Sequence, residues 1–149
     1  MSLKLKIEAD IKKAMLAKEK DVLQALRSIK SLILLAETEK GAQEDLTADA
    51  ELKLLTKAAK QRRESAEVFG QQGRTDLQAV EQKELEVIER YLPKQLSEED
   101  LTVKLKEIIA TVGASSAADL GKVMGVASKD LAGMADGKLI SVKVKELLS

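Results

Sequence analysis

The chain has 149 residues, with 25 basic and 25 acidic side chains, 44% apolar residues, no His and no Cys. That length suits one ordinary domain or two small ones, and the missing residue types exclude Ser-His and Cys-His catalytic pairs, thiolate nucleophiles, disulfides and zinc sites of the usual His/Cys kind. One Phe and one Tyr are too few rings to stack a row of bases, and zero formal charge argues against a generally basic nucleic-acid binder.

Apolar residues recur at helical spacing along the whole chain. A first helix is predicted over about 3–18, with Leu3, Ile7, Ile11, Ala14 and Met15 on one face, and a second over about 20–39, with Val22, Leu26, Ile29, Ile33 and Ala36 inward and Gly41 just past its end. Thr47 is placed to cap a third helix at about 48–69, whose inner face gathers Leu54, Leu55, Ala58, Ala59, Ala66 and Phe69. The segment GQQGRT reads as a loop. A fourth helix follows at about 76–91 with Leu77, Val80, Val87, Ile88 and Tyr91, and the single proline, Pro93, stops it.

Beyond Pro93 the composition shifts: five of the eight glycines fall at 113, 121, 125, 133 and 137. Ser97 followed by Glu98, Glu99 and Asp100 reads as a helix start, with acids where they complement the dipole. Leu101, Leu105, Ile108, Ile109 and Val112 then form one stripe ending at Gly113. Ser116 is the expected cap of a helix at about 117–129 with Leu120, Val123, Met124 and Ala127 inward, and a last helix at about 137–148 offers Ile140, Val144, Leu147 and Leu148. No segment shows strand alternation. The expected fold is all-α: an N-terminal domain of about four helices over 1–92, a linker at 93–96, and a three-helix domain over 97–149.

Charged residues 1–20 contain no apolar core, so a secretory signal is not expected, and the longest apolar run, Leu32–Ala36, is far short of the ~20 residues that cross a bilayer. A cytosolic protein with no membrane partner is expected.

Two constellations could carry function. In KLLTKAAKQRR, Lys53, Lys57 and Lys60 share one helix face and, with Arg62 and Arg63, make a basic patch able to contact phosphates; Glu64 and Glu67 continue the stripe and favour an ordinary solvated face. Arg62 itself falls among inward residues and needs a carboxylate, for which Glu81, Glu84 or Glu89 are the candidates. In LGKVMG, Gly121 and Gly125 open a side-chain-free strip on one helix. Each mid-helix glycine costs about 0.5–1 kcal/mol relative to Ala, so close packing is expected there, from a neighbouring helix or from a partner. Asp136-Gly137-Lys138 resembles a cap and turn whose free N–H groups could hold a phosphate. Paired carboxylates such as Glu81–Glu84 look like helix surface, and no phosphate loop, nucleophile elbow or dinucleotide fingerprint occurs.

Three stretches, DIKKAMLAKEKDVLQALRSIKSLI, KQRRESAEVFGQQGRTDLQAVEQKELEVIERYLPKQLS and DLGKVMG…GMADGKLISVKVKELL, together resemble a YqeY-like protein of the GatB/YqeY family over nearly the whole chain. The resemblance implies that the C-terminal domain is similar to the tail of the B subunit of tRNA-dependent amidotransferases, a tRNA-contacting appendage without the catalytic cradle. Its glycine-and-turn motif falls on Gly121, Lys122, Gly125, Gly133, Asp136, Gly137 and Lys138. Met134 stands where relatives usually have a basic residue, and Ala127-Ser128 where Met-Pro is common. What this implies is a non-catalytic accessory module, associated with tRNA and linked to tRNA-dependent amidotransfer, with no cofactor and no metal. The alternatives are a helical adaptor bridging to a translation-related enzyme and, last, a carbon–nitrogen ligase with glutamine as amido donor, as the family label implies.

Overall fold

A computed structural model describes residues 2–39 and 45–149 of the chain. Among them every regular element is helical: α1 (Leu3–Leu16), α2 (Lys20–Glu39), α3 (Ala48–Gln71), α4 (Thr75–Glu89), α5 (Glu98–Val112), a 3-10 turn (Ala117–Asp119), α6 (Leu120–Asp130) and α7 (Gly137–Leu148). The all-α expectation holds. Gly41, expected just past α2, lies outside the described residues. The chain divides into two compact units, Met1–Leu92 and Pro93–Ser149.

In the first unit, helix starts follow capping chemistry. Ser2 accepts from the Leu5 N–H at 3.3 Å and Thr47 from the Ala50 N–H at 3.1 Å, each satisfying a donor that the first turn leaves unpaired. Across the unit, Glu51 of α3 accepts from the Leu3 N–H at 2.9 Å and so caps α1 from outside. Gly73, with φ 71°, ends α3, so the helix runs on through Gly70 and Gln71, the first two residues of the expected loop. Only Gln72–Arg74 separate α3 from α4, and so short a connection turns the two helices back on each other. The core gathers Leu3, Ile7 and Ala14 of α1, Val22, Ala25, Leu26, Ile29 and Ile33 of α2, Leu55, Ala58 and Ala59 of α3, and Val87 and Ile88 of α4.

Two expected core residues of this unit are exposed. Met15 sits at the edge of the α1 stripe. Val80 faces the first turn of α2, where the polar Asp21 and Gln24 leave it half open. Near the end of α4 the Tyr91 hydroxyl donates to Asp10 of α1, and burial together with that carboxylate pushes its ionisation well above the ordinary range.

The second unit packs α5, α6 and α7 around Leu101, Leu105, Val123, Ala127, Leu131, Ile140, Val144 and Leu148. Ser97 caps α5 through the Asp100 N–H at 3.1 Å, and Gly113, at φ 71°, closes it in the left-handed conformation. Residues 93–96, expected as a linker, carry contacts of this unit: the Leu96 N–H donates to the Met134 carbonyl at 2.9 Å, and Gln95 Nε2 donates to the carbonyls of Pro93 at 3.0 Å and Gly133 at 2.6 Å.

Candidate functional site

Helix α6 owes its orientation to spacing. Val123, Ala127 and Leu131 follow at i, i+4 and i+8 and are buried against α5 and α7. The opposite side therefore carries Gly121, Lys122 and Gly125, all exposed. A Cβ built on Gly121 or on Gly125 meets nothing within 4 Å, and the same is true of Gly137. The neighbouring-helix alternative for the glycine strip thus fails within this unit: the strip opens outward, and the helix-propensity cost, about 0.5–1 kcal/mol for Gly125 in the interior and less for Gly121 in the first turn, is not offset by packing inside the unit.

The start of this region is held by a carboxylate rather than by the serine expected to cap it. Ser116 makes no side-chain cap bond, because its backbone opens a 3-10 turn instead of an α-helix. Asp119 Oδ2 instead accepts from the Ser115 N–H at 2.9 Å. That bond, with a further backbone N–H from Ser116 and the nearby Lys122 cation, holds the Asp119 carboxyl below its usual range. Lys122 thereby stands between an anchored carboxylate and the glycine strip.

The turn into α7 separates the remaining motif residues. Gly133 is buried and lies at φ 76°, a conformation that strains any side chain, with its carbonyl engaged by Gln95. Its role is to make the turn, so it is not part of an exposed face. Met134 packs against the core and Ala127 is fully buried, while Ser128 is exposed, so of the three departing residues two fall on packed positions and one on the surface. Asp136 occupies the N-cap position of α7, and its carbonyl accepts from the Ile140 N–H at 3.0 Å, but its side chain makes no cap bond. Gly137 and Lys138 in the first turn are exposed. What the structure exposes from the motif is Gly121, Lys122 and Gly125 on α6, and Gly137 and Lys138 on α7.

The basic patch of α3 comes out differently. Arg62 Nη1 lies 2.9 Å from Glu81 Oε2 and 3.1 Å from Glu84 Oε2, both on α4, with the guanidinium 31% exposed and each carboxylate side chain 15% exposed. The N–H is aligned with Glu84, so the contact with Glu81 is Coulombic and leaves that buried oxygen without a hydrogen bond. Arg63 reaches Glu89 of α4 at 3.7 Å, and Lys53 pairs with Asp49 at 3.2 Å. Of the five residues only Lys57 and Lys60 are exposed and form no ion pair among the described residues. The five are not assembled into one anion site, because both arginines turn inward to neutralise α4.

Several anchoring contacts were not legible in the sequence. Leu131 lies beyond the expected end of α6, although its i+4 spacing from Ala127 was a usable signal. The Glu51–Leu3, Tyr91–Asp10 and Gln95–Gly133 contacts join positions at least 38 apart and have no local signature. No group of His, Cys, Asp or Glu among the described residues is arranged to hold a metal ion, and no helix there is long and apolar enough to cross a membrane.

Comparison with known proteins adds a family. The model of the Yqey-like protein family matches residues 4–148. The chain is 36% identical over 129 residues to a protein of Clavispora lusitaniae named altered inheritance of mitochondria protein 41, mitochondrial, covering 85% of this chain and 74% of that protein. It is 37% identical over 86 residues to the protein of the same name from Meyerozyma guilliermondii, covering 58% of this chain and 44% of that protein.

Proposed function

From membership of the YqeY-like family, to which this chain belongs, we propose that the protein is a non-catalytic, tRNA-associated accessory module linked to tRNA-dependent amidotransfer, docking through its C-terminal three-helix unit. The observation that carries the reading is the outward glycine strip of α6: two glycines destabilise a surface helix, meet no atom of their own unit, and flank the exposed Lys122. A strip free of side chains lets a bulky backbone approach the helix closely, and a lysine beside it supplies a point charge for a phosphate. The exposed first turn of α7, with Gly137 and Lys138 and no side-chain cap, offers N–H donors and a second cation to the same kind of ligand.

The contacts available are few. Two exposed lysines, Lys122 on α6 and Lys138 on α7, give a correspondingly shallow salt dependence, since each neutralised phosphate adds one increment to the slope. The reading therefore describes weak positioning of tRNA, with sequence readout left to the enzyme it accompanies. It assigns no bond-making step to this chain. It places the protein in the cytosol; the mitochondrial location in the names of the two relatives belongs to those proteins.

A helical protein partner is the second reading, favoured by charge balance: residues 93–149 hold 8 basic and 8 acidic side chains. Gel retardation of tRNA at about 50 mM salt, where phosphate contacts are strongest, separates the two. Retardation that weakens in Lys122→Glu with Lys138→Glu supports the tRNA reading, and no retardation overturns it. Capture of a translation enzyme after nuclease treatment, lost in Gly121→Leu with Gly125→Leu, favours the protein partner instead.

A further inference from the structure

The ion pairs of the first unit sort the charges of α1 by side. Lys4 pairs with Glu37 at 3.2 Å, Glu8 with Lys30 at 3.6 Å, and Asp10 accepts from Tyr91, so both acidic side chains of this helix are engaged elsewhere in the unit. The side turned away from the core keeps Leu5, Lys6, Ala9, Lys12, Lys13 and Leu16, all exposed. Leu5, Ala9 and Leu16 lie at i, i+4 and i+11 and form one ridge along the middle of that face. Lys12 flanks the ridge on one side, Lys6 and Lys13 on the other, and none of the three forms an ion pair among the described residues. Leu16 is 86% exposed and Leu5 54%, and Met15 beside them is 55% exposed.

We propose that this face of α1 seats the protein peripherally on an anionic lipid surface. An apolar ridge between lysine rows matches the interface of such a bilayer: leucines enter the acyl boundary while lysine stems lie along it and raise their ammonium groups to the phosphates. Nucleic acid satisfies the lysines equally well but gives Leu5 and Leu16 no apolar partner. A symmetric contact between two copies would bury the leucines but would also set unpaired lysines against their own counterparts. Charge and apolarity together favour lipid. The expectation of no membrane partner rested on the lack of a spanning segment, which does not bear on a helix lying in the interface plane. The proposal uses no residue of α6 or α7 and stands apart from the tRNA reading.

The test is flotation of the full chain with vesicles of phosphatidylcholine alone or mixed with phosphatidylglycerol, at about 0.1 M and about 1 M salt, where the screening length falls from about 10 Å to about 3 Å. Binding is expected to the mixed vesicles at the lower salt and to be lost at the higher. Each lysine near such a surface is worth about fivefold, so Lys6→Gln with Lys12→Gln and Lys13→Gln should weaken partitioning by about a hundredfold. Leu5→Ser with Leu16→Ser should weaken it by about tenfold or more. All five side chains face outward, and an unchanged circular dichroism spectrum checks that the variants fold. Since the chain has no Trp, Leu16→Trp gives a single reporter whose emission should shift to the blue with mixed vesicles only. Failure to bind mixed vesicles overturns the proposal. So does a leucine variant that binds as well as the parent, a change of solution mass in that variant, or α1 lysines needed for tRNA retardation but not for flotation.

Discussion

Helices α3 and α6 both carry lysines and both look, from sequence, like surfaces for an anionic partner, yet the folded chain leaves them in opposite states. On α3 the arginines are long enough to reach across to α4, where Glu81, Glu84 and Glu89 take up their charge. On α6 the residues in question are glycines, which have nothing to reach with, and nothing in their own unit comes to them. Charge density along a helix is thus a poor guide to a site, because long cations find partners within the fold whenever an adjacent helix supplies carboxylates. A missing side chain on an uncovered surface has no such internal explanation.

The contrast can be broken in order of effect. Arg62→Ala should destabilise the first unit by about 2–3 kcal/mol in urea unfolding, short of the full loss for a buried pair because the guanidinium is 31% exposed; a change under 0.5 kcal/mol would mean that the pairing with α4 is incidental. The opposite sign is expected on α6. Gly121→Ala with Gly125→Ala should stabilise the second unit by about 0.5–1.5 kcal/mol, most of it from Gly125 because Gly121 lies in the first turn, and a loss of stability would show that the strip is filled after all. Next, Lys57→Gln with Lys60→Gln should leave the unfolding midpoint unchanged within about 0.5 kcal/mol, as for solvated side chains generally.

The smallest effect concerns acid. The Asp119 carboxyl is held below its ordinary value of 3.8 by the Ser115 N–H. A group depressed in the folded state contributes stability above its unfolded pKa and loses it as the pH falls through the folded value. Asp119→Asn should therefore flatten the acid limb of a pH–stability curve below about pH 4 and leave its neutral region nearly parallel to the parent.

Within single helices the sequence was informative. Apolar spacing located the seven α-helices of the described residues to within a few positions, and local caps such as Thr47, Ser97 and Gly113 behaved as their chemistry demands. Failures came where a neighbour decided. Val80 had the spacing of a core residue but faces polar side chains, and Ser116 looked like a cap but makes no cap bond where its backbone opens a 3-10 turn. For the site, the sequence located the glycines and lysines but left open whether the strip was covered, since a covering helix would be distant in the chain.

Periodicity, capping and composition are short-range properties, and they alone fixed the helical class, the order of the helices and which side of most of them faces inward. Tertiary structure decided which charges were neutralised and which surfaces stayed bare. Whether Arg62 finds two carboxylates, or Gly121 finds nothing, depends on what another helix brings within a few ångströms. Coulomb and packing energies act over that distance, and nothing in a single helix encodes it.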